Sequence, residues 1–223
     1  AMDKTTGEID WQVERDVNTS WSTPSVVEVD GRPQVITTAT DDIRAYDFET
    51  GDVIWHSSGL TRNVIPNPIY QDGILYAMSG FRGSAMQAID IAKAKGDITG
   101  TNAILWEYNE HTPYTPQPVL MNDKIYFLRV NNGFMSCIDA KTGEIYYSRE
   151  NLEDIGTLYS SPTGVDNRIY IAAENVVMVI SAGETFEVLA SNEVKDNFHA
   201  SPVIVGNDLI LRGFDSLYCF TEK

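Results

Sequence analysis

The chain has 223 residues and a net charge of −16, from 32 acidic against 16 basic side chains. That sign repels phosphate backbones and argues against nucleic acid as a partner, while an apolar share of 43% is that of a folded chain. No apolar run approaches the roughly 20 residues of a membrane-spanning helix, and two cysteines with three scattered histidines (His56, His111, His199) supply neither a disulfide framework nor zinc-ligand spacing.

Ala1 and Met2 read as a remnant of cloning, so the domain is expected over 3–223, with any leader lying outside the sequence. The chain then opens on Asp3-Lys-Thr-Thr6-Gly7-Glu-Ile-Asp-Trp11. The same pattern returns in fuller form as Ala45-Tyr-Asp47-Phe-Glu-Thr50-Gly51-Asp-Val-Ile-Trp55. A third copy starts at Ala88-Ile-Asp90 and closes at Trp106, stretched by an insert around Lys93–Thr101. A fourth runs Cys137-Ile-Asp139-Ala-Lys-Thr142-Gly143-Glu-Ile-Tyr-Tyr147, followed by a worn copy at Val179-Ile-Ser181-Ala-Gly183 and a half copy at Cys219-Phe220.

A second marker keeps step: a proline opens an apolar stretch at Pro24, Pro68, Pro118, Pro162 and Pro202, at intervals of 44, 50, 44 and 40 residues. Each is followed by a turn pair (Asp30-Gly31, Asp72-Gly73, Asn122-Asp123, Asp166-Asn167, Gly206-Asn207) of the kind that tolerates positive φ and closes tight hairpins. Each unit reads as four strands, in the first Ser25–Val29, Gln34–Thr38, Ile43–Phe48 and Asp52–His56, with β-branched and aromatic residues and no helical stripe. Four-stranded units of about 40–45 residues, repeated, predict an all-β fold, a β-propeller of about five antiparallel blades.

The motif positions have separate physical tasks. Thr-Gly makes the turn between the third and fourth strands, where Gly51 and Gly143 accept a conformation other residues resist, and the acid (Asp47) caps it through local hydrogen bonds. The small residue (Ala45, Ala88, Cys137, Val179, Cys219) leaves room for a neighbouring blade's ring, and the closing aromatic (Trp11, Trp55, Trp106, Tyr147) supplies it. Both cysteines are thereby expected as core side chains, too far apart to bond.

These residues resemble the PQQ-like propeller repeat and its tryptophan-docking motif, over essentially the whole chain, and in wording such as Trp21-Ser-Thr-Pro24 the C-terminal part of secreted bacterial proteins of that kind. The resemblance implies a periplasmic or extracellular location. It brings two eight-bladed models of activity: quinoprotein alcohol dehydrogenases, and an outer-membrane protein assembly lipoprotein that presents loops to other proteins. The dehydrogenases hold their quinone with a vicinal cysteine pair, and this chain has no Cys-Cys, nor a D-x-[DN]-x-[DN]-G calcium loop. No cofactor is therefore expected, and a binding or scaffold role comes first, ahead of a PQQ-dependent dehydrogenase-like or a carbohydrate-binding sensor domain. With five units against eight, the chain is either an open slice inclined to oligomerise, or a ring in which Glu8–Val13 supplies the fourth strand of the last blade.

Candidate binding residues follow from where propellers place ligands, at one end of the central channel. Three residues before each strand-opening proline stand Trp21, Ile65, Thr115, Tyr159 and His199, and a mouth lined by Trp21, Tyr114, Tyr159 and His199 would suit a planar or sugar-like ligand or a protein partner. Arg82, Arg129 (with Asn131 beside it) and Arg212 fall at equivalent turns between second and third strands and could converge on an anion. The insert Lys93–Thr101 and the segment Asn109–Thr115 are expected to be contact loops.

Overall fold

A computed structural model describes Ala1 to Thr221; the last two residues of the expected domain, Glu222 and Lys223, lie outside the described residues. Two compact units are present, Ala1–Glu110 and His111–Lys223. In the first, blade one comprises β1 (Ser25–Val29), β2 (Arg32–Ala39), β3 (Asp42–Asp47) and β4 (Val53–Ser57), and blade two β5 (Ile69–Gln71), β6 (Ile74–Ser79), β7 (Ala85–Asp90) and, after the short β8 (Gly96–Asp97), β9 (Ile104–Tyr108). In the second, blade three has β10 (Val119–Met121), β11 (Lys124–Leu128), β12 (Phe134–Asp139) and β13 (Ile145–Asn151). Blade four has β14 (Thr163–Val165), β15 (Arg168–Ala173), β16 (Val176–Ser181) and β17 (Val188–Glu193), and blade five only β18 (Val203–Val205), β19 (Asp208–Arg212) and β20 (Leu217–Thr221). The expected all-β propeller blades are thus five meandering sheets, and among the described residues there is no helix long and apolar enough to cross a membrane.

Local chemistry explains the regularity. Each of the five prolines directly precedes a first strand, where its missing amide breaks no ladder. Four of the following hairpins turn through paired positive φ angles, for example 49° and 73° at Asp30-Gly31 and 53° and 59° at Asn122-Asp123, whose twist matches that of the strands they join, while at Gly206-Asn207 only Gly206 is left-handed. Asp47 Oδ1 accepts the amides of Glu49 and Thr50 at 2.9 and 3.0 Å, while the Gly51 amide, at φ 77°, donates to the Asp47 carbonyl. Asp139 and Asp3 build the same turn with Thr142-Gly143 and Thr6-Gly7.

At the small position of the motif the third strand sits opposite the closing aromatic of its own hairpin: Ala45 pairs with Trp55, Ala88 with Trp106, Cys137 with Tyr147. A register shift follows directly in each, and again after Val179 in blade four. The motif therefore encodes a β-bulge that seats a large ring beside a small residue within one blade. The docking of one copy on the next appears with Trp11, whose ring lies over Gly51, stacks on Tyr46 at 6.1 Å and donates from Nε1 to the Phe48 carbonyl at 2.8 Å.

Each sheet packs its back face on the front face of the sheet that follows it within the unit. Ile36, Ile43, Ala45 and Trp55 of blade one meet Leu75, Ala77, Ala85 and Ile89 of blade two. Tyr126, Met135 and Cys137 of blade three meet Ile169, Ile171, Met178 and Ile180 of blade four, and Ala172 and Val177 of blade four meet Leu211.

Two expectations are corrected. Glu8–Val13 does not supply a fourth strand to blade five, which has three among the described residues. Instead Ile9 bridges Met2, the Asp3 amide donates to the Glu8 carbonyl, and Trp11 is committed to blade one. Ala1 and Met2 accordingly occupy the first two positions of the motif rather than trailing from it. The insert expected as a contact loop is held to blade one: β8 pairs in parallel with β4 (Trp55 with Gly96, His56 with Asp97) and Ala94 and Ile98 are buried, while Lys93, Lys95, Asp97, Thr99 and Thr101 stand exposed. Last, Cys137 is buried against the facing residues of blade four, but Cys219 is exposed.

Candidate functional site

The loops that lead into the first strands are tied from repeat to repeat. The amide of Thr23, just before Pro24, donates to Asn67 Oδ1 at 2.7 Å, and Asn67 stands just before Pro68. In the second unit the Gln117 amide donates to Ser161 Oγ at 2.9 Å and the Ser161 amide to Ser201 Oγ at 3.0 Å. After the prolines, Ser25 Oγ donates to the Pro68 carbonyl and Thr163 Oγ1 to that of Pro202. Each loop amide thus finds its acceptor in the following repeat, which satisfies backbone groups that no strand ladder reaches.

On this frame stand the expected site residues. Tyr159 and His199 hold the same place in consecutive repeats, and their rings meet at 4.7 Å; on the other side His199 contacts the Phe214 ring at 4.8 Å, edge to face. The three form a row that remains open to solvent, Tyr159 45% and Phe214 59% exposed. Trp21 belongs to the first unit and is 67% exposed, its amide bonded to the Val64 carbonyl. Tyr114 is half-buried, with its amide on the Val130 carbonyl.

The arginines divide likewise. Arg82, in the first unit, stands exposed at φ 56° with its guanidinium 5.4 Å from the Phe81 ring centre. In the second unit Arg129 is half-buried and Arg212 exposed. Asn131 is a fastener of two loops: its Oδ1 takes the Thr115 amide at 3.1 Å and its carbonyl takes that of Leu158 at 2.9 Å.

Two residues of this region carry no sequence signal that the motif analysis could use. Phe214 completes the aromatic row from a turn between second and third strands. Asp196, three residues before His199, fixes that turn: its carboxylate accepts the amides of Asn197, Phe214, Asp215 and Ser216 and the Tyr218 hydroxyl. Gly213 lies so close above it that a Cβ would collide with Asp196. Burial works to raise the Asp196 pKa, but the amides of Asn197 and Asp215, the Tyr218 hydroxyl and the Phe214 amide outweigh it and hold the carboxyl below its ordinary 3.8. The aromatic row is therefore braced from beneath by a charged group that remains ionised.

Beside it, a cleft of about 400 Å³ between blades four and five is lined by Val177, Val194, Leu209, Leu211 and Phe220, with Asn192 and Glu193 at its edge. The thiol chemistry is plain: Cys137 is buried between Tyr126 and Tyr147, burial pushing its pKa up to about 12, while Cys219 stands in another blade. No vicinal thiol pair exists to hold a quinone in the manner that the dehydrogenase resemblance requires. Among the described residues no group of three His, Cys, Asp or Glu side chains is placed to hold a metal ion.

Comparison with known proteins follows this geometry. No curated protein matches the chain. Among solved structures, the crystal structure of BamB from Moraxella catarrhalis is similar at 16% identity, over 98% of this chain and 74% of that one, with a TM-score of 0.48. The family model described as outer membrane protein assembly factor BamB matches residues 1–116, more than half of the sequence, and the chain belongs to this family of PQQ-like repeat proteins.

Proposed function

We propose that the chain is a non-catalytic, protein-binding scaffold of the cell envelope, which engages its partner through the aromatic row Tyr159–His199–Phe214. The observation that carries this reading is the row itself: three rings in mutual contact, open to solvent, and preorganised by the four amides and one hydroxyl on Asp196. Rigid aromatic anchors bind at low entropic cost and dominate protein interfaces. Arg212 and Asp215 stand exposed nearby in sequence, as polar groups at the rim of such a patch do. The matched family takes its name from outer membrane protein assembly, and a periplasmic or extracellular location for this chain rests on that membership.

The dehydrogenase alternative has little chemical support, because the thiols are separated and differ in exposure. A planar or sugar-like ligand on the same rings is the second reading, favoured by the exposed faces of Tyr159 and Phe214. Cross-linking of the chain in envelope extracts, repeated with Tyr159→Ala/Phe214→Ala, tests the first reading. A protein captured by the parent and lost by the variant supports it. Capture unchanged by the variant, or saturable glycan binding in its place, refutes it. In the first unit Trp21 and Arg82, and in the second Tyr114, Arg129, Asn131 and Arg212, are the further contacts we assign to partner binding.

A further inference from the structure

The loops that precede the strand-opening prolines carry one position filled differently in every repeat. Six residues before each proline stand Asn18, Arg62, Thr112, Gly156 and Asp196. Asp196 spends its carboxylate on the amides of its own repeat's turn. A guanidinium has donors only and cannot accept an amide, so Arg62 cannot brace a turn in that way. Its main chain bridges Phe81 and leaves the charged side chain exposed.

Arg62 lines a pocket of about 280 Å³ in the first unit, together with Asn18, Thr19, Thr40 and Asn63. Asn18 and Arg62, and likewise Thr19 and Asn63, are repeat equivalents 44 residues apart, as Pro24 and Pro68 are. Thr40 comes from the turn between β2 and β3, and its amide donates to the Thr19 carbonyl at 2.8 Å. Asn63 is left-handed at φ 52°, a conformation that asparagine tolerates. The polarity of the side chains is fixed. Thr19 Oγ1 donates to Asn63 Oδ1 at 3.1 Å; with its one proton spent there, its 2.8 Å contact with Thr40 Oγ1 has Thr40 as the donor. Asn63 thus gives its acceptor to Thr19 and keeps the two donors of Nδ2 for the pocket. The Asp41 carboxylate, beside Thr40 in sequence, is engaged elsewhere, with Oδ1 accepting the Gly59 amide at 2.8 Å.

We propose that this pocket binds a small polar acid, its carboxylate or phosphate group held by Arg62 and Asn63 and its hydroxyls by Asn18 and Thr40. The lining groups are two amides, two hydroxyls and one guanidinium, so an oxyanion there meets fixed donors and no like charge. Asn18 can both donate and accept, and Thr40 Oγ1 retains lone pairs, which is the mixture that hydroxyl groups need. The volume is that of roughly nine waters, ample for an acid the size of glycerol phosphate and too small for a folded partner. The site is independent of the aromatic row, which belongs to the second unit.

Calorimetric titration of the whole chain with glycerol 3-phosphate, glycerate and uncharged glycerol tests this. Either acid binds saturably and glycerol does not, at the roughly millimolar affinity of so small a ligand; which acid binds tells phosphate from carboxylate. Arg62→Ala, at an exposed position, weakens binding by about tenfold or more. Asn63→Asp keeps an acceptor for Thr19 but sets a carboxylate where the donors were, and abolishes it. Arg32→Ala, exposed at the hairpin of blade one, leaves it intact, and unchanged thermal unfolding shows the variants folded. No saturable binding of either acid overturns the proposal. So does binding indifferent to Arg62→Ala, equal binding of glycerol, or an equal loss with Arg32→Ala.

Discussion

Substituting Gly51 by alanine should cost far more than the turn alone explains. The residue sits at φ 77°, and a Cβ there would lie 2.7 Å from Cδ2 and Cε3 of Trp11. Holding an L-residue left-handed costs about 1 kcal/mol. Lifting the indole away forfeits its bond to the Phe48 carbonyl, worth about 1 kcal/mol, and its stacking on Tyr46, worth about 0.5–1.5 kcal/mol. Gly51→Ala should therefore destabilise the first unit by roughly 2.5–3.5 kcal/mol, but by only about 1 kcal/mol when Trp11 is already alanine. Urea denaturation of the four proteins of this cycle, followed by far-ultraviolet circular dichroism, reads the coupling directly. A coupling below about 0.5 kcal/mol would refute the view that Gly51 is glycine chiefly to admit the Trp11 ring.

Three further outcomes follow from the fold. Because the folded Asp196 carboxyl is depressed below 3.8, its contribution to stability is present above that value and lost as pH falls through the folded pKa; Asp196→Asn should flatten the acid limb of the stability curve below pH 3.8, measured by urea unfolding. In native protein at low concentration one thiol should react with a disulfide reagent, Cys219, and Cys137 only after denaturation, since burial raises its pKa to about 12. Ile98→Ala, in the insert, should cost about 2–4 kcal/mol by calorimetry, whereas Lys95→Ala, exposed three residues earlier, should cost less than about 0.5 kcal/mol.

What the sequence made legible was local chemistry repeated in phase. The prolines, the Asp-Gly and Asn-Asp pairs and the Asp–Thr-Gly turn each act within a few residues, so their spacing predicts strand starts, hairpins and blade number. The equivalence of Tyr159 and His199 also follows from the proline register alone. Contacts that depend on what lies across space were not legible. The pairing of Gly96-Asp97 with Trp55-His56 spans some 40 residues of sequence and runs parallel, so the insert carries no strand signature of its own. Cys137 and Cys219 fill one motif slot, yet one is sealed and the other bare, because burial is decided by what packs on the sheet face rather than by the residue. Asp196 was invisible for the same reason: four of its five donors come from 18–22 residues downstream.

The serine and asparagine side chains beside the prolines have a consequence for how such a chain can change over evolutionary time. Since the acceptor for one loop's amide belongs to the following repeat, each of these three joints is shared between two blades. A duplication or deletion cut at the sheet boundary would join a donor to a stranger, and only exchanges that carry the polar residue and its proline together would be silent. The heritable module of this protein is therefore offset from the visible one, running from joint to joint rather than from sheet to sheet.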